Sequence, residues 1–239
     1  MRISPDWAGL ILLVRGESTP RGLEATLRAS LWPAVLGTLL SAPYGATIGL
    51  WTSPRLALYA AAKLPLLMLL TAALTFAACW VIARLAGWPL GPGVVASLIF
   101  LPLAVASLIL ASLAPVSALL SLSAPAPAES ARLTHNLLYL AHTFLVGGAS
   151  LAGTATLLRL LKGLAANGRR AGGLFAAWLA IYAIVGGEVA WALRPFVGSV
   201  YEDVQFLRPN ALEGNVYEFV LEDIVPYVAS PARIEGGSS

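Results

Sequence analysis

Charge is what this sequence has least of. Only 11% of its 239 residues are Asp, Glu, Lys or Arg, 58% are hydrophobic, and the mean hydropathy is +0.79. Water-soluble domains carry about a quarter charged residues, so a soluble globular fold is excluded and the bilayer is the expected medium. Cysteine is nearly absent too. Cys79 stands alone in an apolar run, which rules out an intramolecular disulfide and a cysteine metal cluster and leaves a small buried hydrophobe. The two histidines, His135 and His142, are seven residues apart, hence on one helix face but roughly 10 Å from each other, too far to share a metal ion. Haem would need further axial ligands, and Met1 and Met68 are poor ones. There is no glycine loop ending in Lys-Ser or Lys-Thr, no His-Glu-x-x-His and no Gly-x-Ser-x-Gly, the patterns that cradle phosphate, bind zinc or raise a nucleophile. No catalytic residue, cofactor, metal or soluble small-molecule substrate is therefore expected. The net charge of +3 gives no reason to expect nucleic acid.

What remains is an all-α integral membrane protein of about five transmembrane helices with short interfacial helices and a C-terminal extramembrane tail. Its expected divisions are an N-terminal cytoplasmic or interfacial segment over 1–30, a membrane domain over 31–193, an outer acidic and aromatic tail over 194–233, and a purification-type linker over 234–239. Residues 7–14 are too short, and too closely preceded by Asp6, for a cleaved signal peptide. Residues 20–30 read as an interfacial helix with Glu24 in its first turn. The first span, 31–51, is charge-free but interrupted by Pro33, Gly37, Pro43, Gly45 and Gly49. Ser53 and Pro54 then form a cap with proline at the first helical position, opening a short interfacial helix over 55–63. The second span, 64–83, is bracketed by Lys63 and Arg84. Prolines 89, 92, 102, 115, 125 and 127 divide the next charge-free stretch, giving a third span over 93–113 and a loosely structured remainder. Residues 135–158 and 171–193 supply the fourth and fifth.

Basic residues set the orientation, since short loops rich in Lys and Arg stay in the cytoplasm. Arg2, Arg15, Arg21 and Arg28 precede the first span, and Arg159, Lys162, Arg169 and Arg170 follow the fourth, whereas the stretch after Arg194 has seven acids against Arg208 and Arg233. Five crossings place both basic clusters in the cytoplasm, with the C-terminus on the outer face of a bacterial-type inner membrane. Four would separate them.

Glu188 is the only acid inside an expected span and so the first functional candidate, either in a transport, lipid or partner role or as a carboxylate near the outer interface that is paired with a base such as Arg194 or Lys63 or simply protonated. His142 is a polar group able to bond across helices. Lys63 is a flanking cation with a snorkelling stem. Gly147, Gly148, Ala152 and Gly153 provide small residues at four-residue spacing for close helix contact, as Gly186 and Gly187 do beside Glu188. In the tail, Arg194, Phe196, Tyr201, Phe206, Tyr217 and Phe219 read as a partner-docking strip, with 213–228 as an amphipathic helix or a strap.

Through Tyr44-Gly45-Ala46-Thr47-Ile48-Gly49, Ala61-Ala62-Lys63-Leu64-Pro65-Leu66-Leu67 and residues 110–117, the chain resembles bacterial small multispanning proteins of the Yip-domain type, over residues 20–165. The resemblance implies about five spans with a cytoplasmic N-terminus and a non-enzymatic role, and it carries over no catalytic residue. The expected function is scaffold, assembly factor or accessory subunit of a membrane complex, with membrane lipids and other membrane proteins as partners. The alternatives are a small proton- or cation-coupled transporter built on Glu188 and His142, and a lipid-binding or membrane-shaping protein using Arg28, Lys63 and the basic loop 159–170.

Overall fold

The computed structural model describes residues 6–17, 22–127, 132–165, 168–197, 204–208, 211 and 213–219, and among these every regular element is helical. In chain order the elements are α1 (Trp7–Arg15), α2 (Leu23–Thr38), a 3-10 turn (Leu39–Ser41), α3 (Ala42–Leu50), α4 (Pro54–Leu85), α5 (Pro92–Ser123), α6 (Arg132–Leu164), α7 (Gly168–Leu193) and the single turn α8 (Val216–Phe219). Four of them, α4, α5, α6 and α7, are long and apolar enough to cross a membrane. Leu58, Leu74, Leu119, Phe144 and Leu151 stand exposed on their outer faces, where water would penalise them and lipid does not.

The charge-free α5 is the axis. Its most apolar window is 67% buried, against 33% for α4 and α6 and 17% for α7, and it packs against α2, α3, α4 and α6. One core gathers Leu27, Val94, Leu98, Leu101, Leu161 and Trp178 at the end where α1 lies; a second gathers Tyr44, Leu64, Met68, Leu110 and Ala149 toward the other. Side chains reaching for backbone carbonyls lock the helices in place. Trp178 Nε1 donates to the Cys79 carbonyl at 3.0 Å, tying α7 to α4, and the Tyr182 hydroxyl donates to Ile99 O at 3.2 Å, tying α7 to α5. Cys79 is buried and free, as expected of a small hydrophobe.

Several helices run further than proline counting predicts. The expected interfacial helix 55–63 and span 64–83 are one helix, α4, which passes through Pro65. The segment after residue 113, expected to be loose, is the last part of α5 and carries Pro115 within it. Likewise α2 joins the expected interfacial helix 20–30 to the start of the first span, with Pro33 inside. Proline forfeits one backbone bond, but ending a helix among apolar neighbours would strand several. The Ser53 cap is as expected: its Oγ accepts from Leu56 N at 3.1 Å, with Pro54 in the first turn.

A close helix contact lies where the sequence reading saw only irregularity. Gly45 and Gly49 form a Gly-x-x-x-Gly pair on α3, and a Cβ at Gly45 would collide with the Ala60 carbonyl, one at Gly49 with the backbone of Leu56 and Ala57. α3 and α4 therefore meet backbone to backbone. On α6 the expected small-residue face is only half used: a Cβ at Gly153 would lie 2.5 Å from Pro102 O of α5, whereas Gly147 and Gly148 meet nothing within 4 Å. Ala149 is buried, Gly148 exposed. Gly153→Val should accordingly lower stability in detergent by about 1–3 kcal/mol through overpacking, while Gly148→Val should leave it unchanged. Thermal denaturation of the two variants checks this, and equal midpoints would contradict the α5–α6 contact.

Candidate functional site

The sequence candidates separate into three places. Lys63 is fully buried. Its expected snorkelling is replaced by an anchor: Nζ donates to Pro195 O at 2.8 Å and lies 5.9 Å and 5.3 Å from the ring centres of Phe196 and Phe206. The chain leaving α7 folds over the α3–α4 corner, so the carbonyl of Pro195 and two aromatic faces replace the water that an ammonium otherwise needs. Two further contacts hold this cap. Thr52 Oγ1 donates to Val197 O at 2.7 Å, and Tyr59 meets Phe206 edge to face with ring centres 5.4 Å apart.

The tail residues expected to form a docking strip sit as follows. Phe196 and Phe206 turn toward Lys63. Arg194 stacks on Trp191, 3.5 Å from its ring centre, and its Nη1 donates to Trp191 O at 3.1 Å. The Tyr217 hydroxyl donates to Ala183 O of α7 at 2.9 Å, which leaves its ring exposed. Tyr201 and the Phe219 side chain lie outside the described residues, as does the part of the expected helix 213–228 beyond residue 219.

The second place is a polar cluster among α3, α5 and α6. His142 is buried, and its Nδ1 pairs with the Tyr44 hydroxyl at 3.1 Å, the rings meeting edge to face. Thr47 and Ser117 share a hydroxyl bond of 2.5 Å, and Ser121 Oγ donates to Thr47 O at 2.8 Å. His142 thus bonds across helices as expected of it. His135 does not join it and instead tilts against Trp51, with ring centres 5.7 Å apart. Such bonds contribute on the order of 0.6 kcal/mol each between membrane helices, and they also fix the register of α3 against α5 and α6.

Glu188 stands apart from both places. Among the described residues no side-chain hydrogen bond and no ion pair involves its carboxylate, so the expected pairing with Arg194 or Lys63 does not occur. Lys63 is taken by Pro195 and Arg194 by Trp191. Glu188 is partly buried and lies one turn beyond the exposed Ile184. Gly186 faces Thr71 of α4 at 3.4 Å from a notional Cβ, the close approach expected of it, while Gly187 borders a cavity of about 430 Å³.

Sequence reasoning missed that cavity. It opens between the first two turns of α6 and the last two of α7, with Pro195, Phe196, Val197 and Arg208 of the cap closing one side. Residues more than fifty positions apart build it, and only the His135-x-x-x-Tyr139 spacing hinted that α6 contributes a polar face there.

Comparison with protein-family models, with curated proteins and with solved structures finds no match. The class rests on the chain's own architecture: it is a helical, multi-pass membrane protein in which the described residues 194–197 and 204–208 cap one end of the bundle.

Lys63→Met keeps the apolar stem and removes the charged hydrogen bond, worth about 1.5–3 kcal/mol. The population with the cap open should then rise roughly tenfold to a hundredfold, seen as faster chymotryptic cleavage after Phe206; an unchanged rate would show that the ammonium does not hold the cap. Glu188→Gln, with no partner to lose, should shift stability by less than about 0.5 kcal/mol.

Proposed function

We propose that the chain is a non-enzymatic multi-pass protein of a bacterial-type inner membrane, serving as scaffold, assembly factor or accessory subunit of a larger membrane complex. One observation carries this reading: the segment after α7 is fastened to the bundle through Lys63 and Thr52. A cap shaped before any partner arrives costs that partner less ordering entropy. Such a surface suits constant association with other membrane proteins, with lipid around the remaining helix faces.

The transporter alternative is less well supported. It needs ionisable groups in series, and Glu188 bonds to neither His142 nor Lys63, while His142 is engaged with a phenol. The membrane-shaping alternative loses Lys63, which lies beneath the cap.

The same reading counts five crossings. α2, the 3-10 turn and α3 follow one another over residues 23–50, 28 residues or about 42 Å at 1.5 Å per residue, enough for a hydrocarbon core of about 30 Å. With this stretch as the first span, the basic N-terminus and the α6–α7 connection are cytoplasmic and the cap lies outside, the arrangement that the Yip-type resemblance implies.

Two measurements test the proposal. In intact cells an impermeant thiol reagent should label Ser230→Cys and spare Gly168→Cys, and the reverse pattern would refute the orientation. Mild-detergent purification from native membranes should bring down a stoichiometric membrane-protein partner that Lys63→Met loses. A lone monomer conducting ions in liposomes would overturn the scaffold reading in favour of the transporter.

A further inference from the structure

The cavity between α6 and α7 has a composition unlike the rest of this charge-poor chain. Arg194 and Arg208 line it together with His135, Tyr139, Gly187 and Trp191, and no carboxylate is among its described lining residues. From these groups we infer that the cavity binds a phosphate group, and that the phosphate is the headgroup of an anionic phospholipid.

The position of the cavity favours a lipid. α7 has a candidate span of 23 residues, about 35 Å long and little more than the hydrocarbon thickness of about 30 Å, so Trp191 and Arg194 at its C-terminal end stand at headgroup depth. Tryptophan, tyrosine and arginine are the side chains that settle there. Leu140 and Phe144, which follow Tyr139 along α6, are exposed and offer apolar surface on the helix that lines the cavity. A phosphate in the cavity can therefore keep its acyl chains against the helix, which a free phosphate cannot exploit.

The chemistry favours an oxyanion. The central carbon of the Arg194 guanidinium lies 3.5 Å from the centre of the Trp191 ring, so the group is positioned before binding, and a planar fork is the geometry that grips phosphate in bidentate fashion. Arg194 and Arg208 both have intramolecular partners as well. A guanidinium carries five donors, and an internal partner and a phosphate oxygen can be held together. Tyr139 adds a hydroxyl donor at the mouth, on a side chain that is 60% exposed and can be replaced with little repacking.

The test is native mass spectrometry on the full chain in detergent, titrated with phosphatidylglycerol and with phosphatidylcholine of the same acyl chains, alongside thermal midpoints with inorganic phosphate. The expected result is preferential binding of phosphatidylglycerol, weakened about tenfold in Arg194→Gln through loss of a charged hydrogen bond and similarly in Tyr139→Glu, which places a like charge at the mouth. A rise in midpoint with inorganic phosphate that Tyr139→Glu abolishes would support the same phosphate chemistry and make free phosphate the source. Equal binding of the two lipids with no effect of phosphate would overturn the inference, as would a preference that survives both substitutions. Should Arg194→Gln fail to fold because Arg194 also packs on Trp191, Tyr139→Glu alone decides.

Discussion

Inside a bilayer no water is at hand to accept a stranded N–H or donate to a stranded carbonyl, and each unmet group costs several kcal/mol. The rest of this structure follows from that constraint. It explains why α2, α4 and α5 continue through Pro33, Pro65, Pro102 and Pro115 when a soluble helix with the same residues would tend to stop. It also explains the break between α2 and α3. Pro43 has no N–H for the Leu39 carbonyl, so the chain tightens into a 3-10 turn in which Ala42 N bonds to Leu39 O instead. The Thr38 carbonyl beside it takes the hydroxyls of Ser41 and Ser107. The break thus falls where hydroxyl groups stand ready to repair it.

Once the helices are rods, their arrangement depends on how closely backbones approach and on which side chains reach a neighbouring carbonyl. Gly45 and Gly49 settle the first question for α3 and α4, and Gly153 settles it for α5 and α6. Trp178, Tyr182, Ser97 and Ser121 settle the second, each bonding to a carbonyl on another helix. Charge takes almost no part in the interior. The exception is Lys63, which would be prohibitively costly unpaired and is tolerated because the cap brings a carbonyl and two aromatic rings to it. The burial of the lysine and the folding of the cap are therefore one event, and the cap in turn closes a side of the cavity that holds Arg194 and Arg208.

Much of this was legible in composition and spacing. Membrane residence, the approximate places of α4, α5, α6 and α7, the Ser53 cap and a cross-helix role for His142 all follow from hydropathy, caps and the scarcity of polar groups, because these are local properties. The extent of each helix was misjudged, since proline rules calibrated in water overstate its power to end a helix in lipid. The glycines were misjudged for a different reason. Gly147-Gly148 and Gly45-x-x-x-Gly49 present the same kind of signal, and periodicity alone does not say which face meets a neighbour.

The sequence by itself determined the medium of this protein and the axes of its long helices, because apolar run length and backbone satisfaction need no knowledge of what lies alongside. Only the tertiary structure decided the fate of its few polar residues. Lys63 and Pro195 are 132 positions apart, and the partners of Tyr44, Thr47 and Trp178 lie 70 to 99 positions away. Glu188, the most conspicuous charge in the sequence, was left without a side-chain partner among the described residues, while Lys63, which looked like an ordinary flanking cation, became the anchor of the cap. A side chain's role in such a bundle is set by which helix happens to face it, and that is fixed by packing across the whole molecule rather than by the neighbours it has along the chain.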